Sequence, residues 1–300
     1  MKCLVTGGAG FIGSNLVDKL IDLGHEVVVI DNLSTGKREN INPKASFYER
    51  DLTLKNEWLM FRGVDVVFHM ACLARVQPSI EEPYLYHDKN VNGMVNVLEA
   101  CRKHKVKRVV FSSSSSVYGD VEEKDLPTTE LAELNPMSPY ALHKLIGEEY
   151  CKLYSSLYGI ETVSLRYFNV YGERQNTEGA YCLVMGVFAG QLLRGEPMTI
   201  NGDGEQKRDF TYVGDVVDAN IRCATINKDW NGDVINIGAG EGYSVNEVAD
   251  LLGGDRIHRD PVIEPRVTKA HVGKAKFLLQ WQPTENFKEW VTKWKEDLGL

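Results

Sequence analysis

The chain has 300 residues, of which 43% are hydrophobic and 25% charged, enough for one large α/β unit or two modest lobes around a shared cleft. A formal net charge of −8 argues against nucleic acid as the main partner, although an anionic small molecule needs only a local group of arginines. No apolar run approaches membrane-spanning length, and the six cysteines (Cys3, Cys72, Cys101, Cys151, Cys182 and Cys223) lack C-x-x-C or zinc-ligand spacing, so the expectation is no membrane partner, no metal, and buried free thiols in a reducing, cytoplasmic compartment.

The chain opens on a short apolar strand, Lys2–Thr6, with no signal-peptide core before it. Phe11–Leu23 has helical periodicity, with Ile12, Leu16, Leu20 and Leu23 on one face. Strands are expected at Glu26–Ile30, Ser46–Arg50, Val64–His69, Arg108–Ser112 and Thr162–Tyr167, with long helices at Tyr84–His104 and Tyr140–Leu157 between them. Continuous apolar strands alternating with helices imply a parallel sheet covered on both faces. The second half is less regular. A helix is expected over Gly179–Arg194, a turn at Asn201–Gly204 within Met198–Phe210, a helix over Val213–Thr225, a strand at Val234–Ile237, a helix near Ser244–Leu252 and two more before Leu300. These late elements suggest a smaller lobe capping the C-terminal edge of the sheet.

The first strand runs into Thr6–Ser14, TGGAGFIGS. Gly7 permits the tight turn, Gly10 lets a pyrophosphate approach the backbone, and Gly13 lets the helix pack close to the strand. The helix N-terminus adds free N–H groups and partial positive charge. Asp31, ending the second strand, can accept hydrogen bonds from both ribose hydroxyls and would repel a 2′-phosphate, which favours NAD over NADP. A glycine-rich turn alone is often only a turn; the strand before it, the helix after it and Asp31 are what point to a dinucleotide.

Tyr140 and Lys144 are spaced i, i+4 on a predicted helix and share a face. In isolation that pattern is commonly structural, and the serine run Ser112–Ser116 after a strand could equally be a plain loop. Together they make chemical sense. A phenol has a pKa of about 10 and is a poor base at neutral pH. A neighbouring ammonium favours phenolate, which can then take a hydroxyl proton as hydride leaves for NAD, while Ser114 orients the same oxygen.

TGGAGFIG, Asp31-Asn32, Asp51-Leu52, His69-Met70-Ala71, Asn90, the serine run, SPYALHK, RYFNVYG and GDGEQKRDFTYV follow one another in an order more specific than any one of them. In these pieces the sequence resembles the extended short-chain dehydrogenase/reductases, in the nucleotide-sugar epimerase and dehydratase group, nearly end to end. The resemblance implies a Rossmann-type parallel sheet with helices on both faces plus a smaller C-terminal α/β lobe. It implies an NAD-binding domain of residues 1–168 with 213–237, and a nucleotide-sugar lobe of 169–212 with 238–300. On the cofactor side it counts Gly7, Gly10, Phe11, Ile12 and Gly13; Asp31, Asn32, Ser34, Thr35 and Gly36; Asp51 and Leu52 at the adenine; and Ala71, Ala74, Asn90, Ser112, Tyr140, Lys144 and Tyr167 toward the nicotinamide. The alternative for Asn90 is a helix cap.

On the substrate side, the resemblance implies a UDP-sugar held by Ser114, Tyr140, Asn169, Asn201, Arg208, Tyr212, Arg266 and Thr268, with Asp215 able to help Tyr212 close the pocket. Arginine suits a diphosphate because its planar fork donates two parallel bonds. The implied reaction is 4-epimerisation through a transient 4-keto sugar, catalysed by Ser114, Tyr140 and Lys144. 4,6-Dehydration and decarboxylation are the alternatives, but Ser115 and Ser116 stand where those enzymes carry acidic residues. A nucleotide-sensing binding protein without catalysis is an alternative of another class. Thr268 stands where relatives that exclude an N-acetyl group carry a bulky aromatic, so UDP-GlcNAc is expected to be accepted beside UDP-glucose. The helices Tyr84–His104 and Tyr140–Leu157 resemble those that pair in a homodimer, although their apolar faces could simply cover the sheet.

Overall fold

The computed structural model describes residues 1–54, 58–175, 183–262 and 264–300. The apolar runs of the first half form β1 (Lys2–Thr6), β2 (Glu26–Asp31), β3 (Ser46–Glu49), β4 (Val66–His69), β5 (Arg108–Ser114) and β6 (Glu161–Tyr167). Short strands β7 (Val170–Tyr171), β8 (Met198–Asn201), β9 (Lys207–Arg208) and β10 (Thr211–Tyr212) follow, then β11 (Asn231–Ile237), β12 (Tyr243–Ser244) and β13 (Arg256–Arg259). Seven strands make one parallel sheet in the order β11-β6-β5-β4-β1-β2-β3. The chain steps outward from β1 to β3 and then returns to the other side of β1 as β4. That reversal opens a crevice at the C-terminal ends of β1 and β4, where doubly wound sheets bind ligands.

The helices are α1 (Phe11–Asp22), α2 (Val76–Glu81), α3 (Pro83–His87), α4 (Gly93–His104), α5 (Pro139–Tyr158), α6 (Val184–Leu193), α7 (Val213–Thr225), α8 (Val245–Leu252), α9 (Gly273–Leu279) and α10 (Phe287–Asp297). Strand alternation feeds both faces of the sheet. Cys3, Val5, Val27 and Val29 join Leu16 and Leu20 of α1 and Val216 of α7 in one core. Leu4, Val28 and Ile30 join Val97 and Leu98 of α4 and Cys151 and Tyr154 of α5 in another. A third core, off the sheet, gathers Tyr171, Phe188, Ile200, Phe210, Val248 and Phe287, with Phe210 stacked on Phe287 at 4.6 Å. It underlies the smaller lobe, where β13 pairs with β8 and β12 with β9.

Two expectations change, and one is tested only in part. The long helix over Tyr84–His104 is interrupted: a π-helical turn, Asp88–Asn92, joins α3 to α4. Such turns widen the backbone spiral and commonly serve a site. The helix expected over Gly179–Arg194 is described from Val184, and its first residues, Gly179 through Cys182, lie outside the described residues. Cys3, Cys101, Cys151 and Cys223 are buried free thiols, whereas Cys72 is only partly buried. Among the described residues no helix is long and apolar enough to cross a membrane.

Candidate active site

One cleft of about 1280 Å³ runs from the glycine turn, past the end of β5, to the smaller lobe. At its first wall Gly7 has φ +70°, and a Cβ there would lie 2.7 Å from the Ala71 amide nitrogen. A Cβ on Gly13 would lie 2.2 Å from the Gly7 carbonyl oxygen, so α1 packs directly against its own turn. Gly10 meets only that oxygen, at 3.2 Å, which leaves its outer face for a ligand. Gly10 caps α1 without a side-chain bond, and the first-turn amides have no intrahelical acceptor. The Asp31 carboxylate is fixed by the amides of Ala9 (3.0 Å) and Leu33 (2.8 Å).

Further along, Asp51 accepts from Lys89 Nζ (2.8 Å), Asn32 (3.3 Å) and the Thr53 amide (3.0 Å) and hydroxyl (2.8 Å). Burial alone would raise the Asp51 carboxyl, but these bonds outweigh it and bring it down to about 2. Gly7, Gly10, Phe11, Ile12, Gly13, Asp31, Asn32, Ser34, Thr35, Asp51, Leu52, Ala71, Ala74, Ser112 and Tyr167 all line the cleft. Gly36 and Asn90 are not among the lining residues. A Cβ on Gly36 would lie 2.9 Å from Ala9, so Gly36 packs its loop under the glycine turn. Asn90, turned inward by the π-helical turn, bonds both backbone groups of Leu73 (2.8 and 3.0 Å) and so holds the loop after β4 rather than capping a helix.

At the middle of the cleft β5 delivers the serines and α5 delivers the phenol. Ser138 caps α5 by accepting from the Ala141 amide (3.2 Å), and Pro139 occupies its first turn, which starts the helix just before Tyr140. Ser114 and Tyr140 line the cleft. The Ser114 hydroxyl also accepts from the Ser116 amide (3.2 Å) and hydroxyl (2.9 Å). Lys144 lies behind them, buried, with Nζ donating to the Ser112 carbonyl (2.6 Å) and 5.8 Å from the Tyr140 ring centre. Burial alone would lower the Lys144 ammonium, but Cys72, Tyr140 and Glu148 outweigh it and hold it above lysine's ordinary value. The sequence suggested a depressed phenol; the protein alone does the opposite. Burial raises Tyr140, and Lys144, Ser114 and Arg75 only partly draw it back. One turn further along α5, the buried Glu148 binds Arg166 through Nε (2.9 Å) and Nη2 (2.6 Å) and accepts from Ser113 (2.5 Å), tying α5, β5 and β6 together. Tyr167 donates to Asn220 at 3.0 Å.

The far wall is knotted around Asp209. Its carboxylate accepts from the amides of Ala239 (2.7 Å), Gly240 (3.0 Å) and Ala270 (2.8 Å). Its own amide donates to the Thr268 hydroxyl (3.2 Å), and its carbonyl accepts from Asn169 (3.1 Å), which also donates to Thr268 (3.3 Å). Burial pushes the Asp209 carboxyl up to about 6. Asn169, Asn201, Arg208 and Thr268 line the cleft, with Arg208 ion-paired to Glu264.

Three other expected residues do not reach it. Arg266 is exposed and forks onto Asp203 (2.8 and 3.0 Å). Tyr212 donates to Glu173 (2.9 Å) and packs on Tyr171. Asp215 accepts from the Thr284 amide (3.0 Å) and hydroxyl (2.7 Å), which ties α7 to the segment before α10. Sequence reasoning missed Arg75, Lys89 and Glu264 in the cleft and Asp209 behind it. Lys89 carried only its adjacency to Asn90, whereas Asp209 lies inside the motif GDGEQKRDFTYV but was given no role there.

The profile of the "NAD dependent epimerase/dehydratase family" matches residues 3–238. The UDP-glucose 4-epimerase of Mycolicibacterium smegmatis is 36% identical over 312 residues, covering 98% of this chain and 97% of that protein. Among solved structures, the UDP-glucose 4-epimerase of Thermotoga maritima with UDP-glucose superposes with a TM-score of 0.92 at 38% identity, covering 99% of this chain and 98% of that one. The UDP-N-acetylglucosamine 4-epimerase of Methanobrevibacter ruminantium, in complex with UDP-N-acetylmuramic acid, gives a TM-score of 0.91 at 35% identity over 98% of this chain and 97% of that one. A seven-stranded parallel sheet, a glycine turn at its crevice and likeness along nearly the whole length agree: this chain belongs to the NAD dependent epimerase/dehydratase family, and its cofactor is NAD.

Proposed function

We propose that the protein is an NAD-dependent 4-epimerase of a UDP-hexose, acting on the UDP-glucose/UDP-galactose pair and on the UDP-GlcNAc/UDP-GalNAc pair. One observation carries the reading: Ser114 and Tyr140 face the same cleft as the glycine turn at one end and Asn169, Arg208 and Thr268 at the other. The amides opening α1 would hold the pyrophosphate of NAD and Asp31 its adenosine ribose. When bound, NAD supplies the acceptor and donor of hydride at sugar C4. Tyr140 takes the C4 hydroxyl proton and returns it after the 4-keto sugar has turned its other face. Ser114 donates a hydrogen bond to that same oxygen. Lys144 stabilises the phenolate from behind, against the burial that opposes it. Arg208 and Asn169 take the diphosphate region, and Arg208 exchanges its Glu264 partner for phosphate oxygens.

Loss of water would need further groups to take a proton from carbon and protonate a leaving hydroxyl. Ser115 and Ser116 are neutral, which speaks against dehydration. The small Thr268 side chain at the cleft supports room for an N-acetyl group. In this reading residues 1–168 with 213–237 hold the cofactor and 169–212 with 238–300 hold the sugar. Two copies would pair through α3–α5, where Tyr84, Leu85, Leu142, Leu153 and Leu157 are exposed.

The test is to incubate the purified protein with UDP-glucose, UDP-GlcNAc and UDP-glucuronate, without added NAD, and follow the sugar protons by NMR. Interconverted C4 epimers support the reading, with Tyr140→Phe slower by about a thousandfold. A 4-keto-6-deoxy product would replace it with dehydration. No turnover of any substrate with NAD added would favour a nucleotide-sensing protein.

A further inference from the structure

We infer that Glu173 and Arg174 form a clasp through which nucleotide bound at the smaller lobe slows the release of NAD. This coupling goes beyond the proposed reaction and rests on the smaller lobe being the nucleotide-sugar side. The two residues stand in a tight turn after β7, closed by the Gln175 amide on the Gly172 carbonyl at 3.2 Å. Arg174 takes the third position of that turn with φ +66°, a backbone region that glycine or asparagine ordinarily fills there. Its guanidinium donates to one Asp18 oxygen on α1 at 2.5 Å, and the Glu173 carbonyl accepts from Asn15 of the same helix at 3.0 Å. The other Asp18 oxygen accepts from Asn42 at 2.7 Å. Asn42 belongs to the loop after β2, whose Ser34, Thr35 and Asn40 line the cofactor end of the cleft. That loop hangs on the glycine turn, with the Lys37 amide (3.0 Å) and the Asn40 side chain (3.1 Å) both donating to the Ala9 carbonyl. Asp18 therefore holds the cofactor loop with one oxygen and the turn after β7 with the other.

The Glu173 carboxylate reaches the smaller lobe instead. It accepts from the Tyr212 hydroxyl of β10 (2.9 Å) and the Trp290 indole of α10 (3.3 Å). β7 and β10 pair in parallel, with Val170 beside Thr211 and Tyr171 beside Tyr212. β7 starts directly after Asn169, and β10 starts shortly after Arg208 and Asp209. Both strands thus run from the far wall of the cleft to Glu173. A diphosphate that orders Asn169 and Arg208 fixes these strands, and with them the clasp. Glu173 and Arg174 are exposed, and a recess of about 350 Å³ is lined by Arg174, Asp18 and the loop residues Asn40 and Asn42. Polar bonds close this edge, so it can open without unfolding either lobe.

The test loads the protein with NAD, removes free cofactor, and traps NAD as it leaves with alcohol dehydrogenase and excess ethanol, reading NADH absorbance with and without UDP. UDP should slow release by about tenfold in the parent protein. Asp18→Ala should release NAD about fivefold faster, and UDP should slow it by less than about twofold. With NAD in excess, kcat of Asp18→Ala should stay within about twofold of the parent. Arg174→Gly removes the guanidinium and gives the turn the residue it favours, so it should match Asp18→Ala in release with no fall in melting temperature. Release from both variants at the parent rate would overturn the inference. So would faster release that UDP still slows by about tenfold, which would make Asp18 a support of the cofactor loop alone. Calorimetry separates the two levels. UDP that binds without slowing release overturns the clasp and leaves the nucleotide reading standing, whereas UDP that does not bind overturns both.

Discussion

On the wall built by β1 and α1, the cleft is shaped by main chain meeting main chain: Gly7 against Ala71, and Gly13 against the Gly7 carbonyl. On the opposite wall it is shaped by side chains reaching across to distant backbone. There, Asp209 gathers the amides of Ala239, Gly240 and Ala270, and Thr268 is shared by Asn169 and Asp209. The first wall can change only by moving backbone, and so should respond to substitution in an all-or-none way. The second can lose one bond at a time, and should respond in steps that appear in substrate affinity before they appear in folding.

The largest expected effect is at the first wall. Gly13→Ala puts a methyl group 2.2 Å from the Gly7 oxygen, and neither partner is a flexible side chain. The purified variant should carry no NAD and should melt well below the parent. Gly10→Ala, whose nearest neighbour is 3.2 Å away, should keep its melting temperature and lose NAD affinity alone. If both variants bind NAD normally, the turn does not hold the cofactor.

On the second wall, Arg208→Ala should raise KM for a UDP-sugar by about 100-fold with kcat little changed, as expected for a lost charged hydrogen bond to phosphate. Arg266→Ala should stay within about twofold, because its exposed pair with Asp203 faces solvent. The reverse ranking would mean that the two arginines trade roles when substrate binds. Smaller again is the sugar gate. Thr268→Tyr should lower the ratio of UDP-GlcNAc to UDP-glucose activity by about tenfold. An unchanged ratio would remove Thr268 from that role. Thr268→Val serves as a control, since it deletes the hydroxyl that Asn169 and Asp209 share without filling the space.

The same contrast governs what could be seen in the sequence. Strand, turn, helix and Asp31 lie within one short stretch, so local periodicity and glycine spacing revealed the first wall almost whole. The second wall unites residues near 169, 209, 239 and 268, and no local pattern ties them; a register carried over by resemblance put Arg266 in the cleft, where its side chain does not reach. Asn90 was flagged as a cofactor-side residue or a helix cap, whereas it holds the backbone of Leu73, and the π-helical turn that carries it has no signature in helical periodicity.

The smallest effect expected is set by pH at Asp209. Its folded pKa, about 6, lies above the ordinary carboxyl value of 3.8 because burial penalises the charge more than the three amides favour it. The folded state therefore binds the proton more tightly than the unfolded state, and this group's contribution to stability declines as pH rises from about 4 through 6 and is constant above. Substrate affinity should move the other way. Above pH 6 the anion holds the amides of Ala239, Gly240 and Ala270 and so keeps Asn169, Arg208 and Thr268 in register; protonation weakens that hold. KM for the UDP-sugar should rise a few-fold as pH falls from 7 to 5, while the melting temperature does not fall in parallel. Asp209→Asn, neutral throughout, should show a high KM with no slope over that range, and rescue by pH should be absent. A wild-type KM that is flat from pH 5 to 7, or a slope retained in Asp209→Asn, would show that the second wall is held by its packing and not by this one charge.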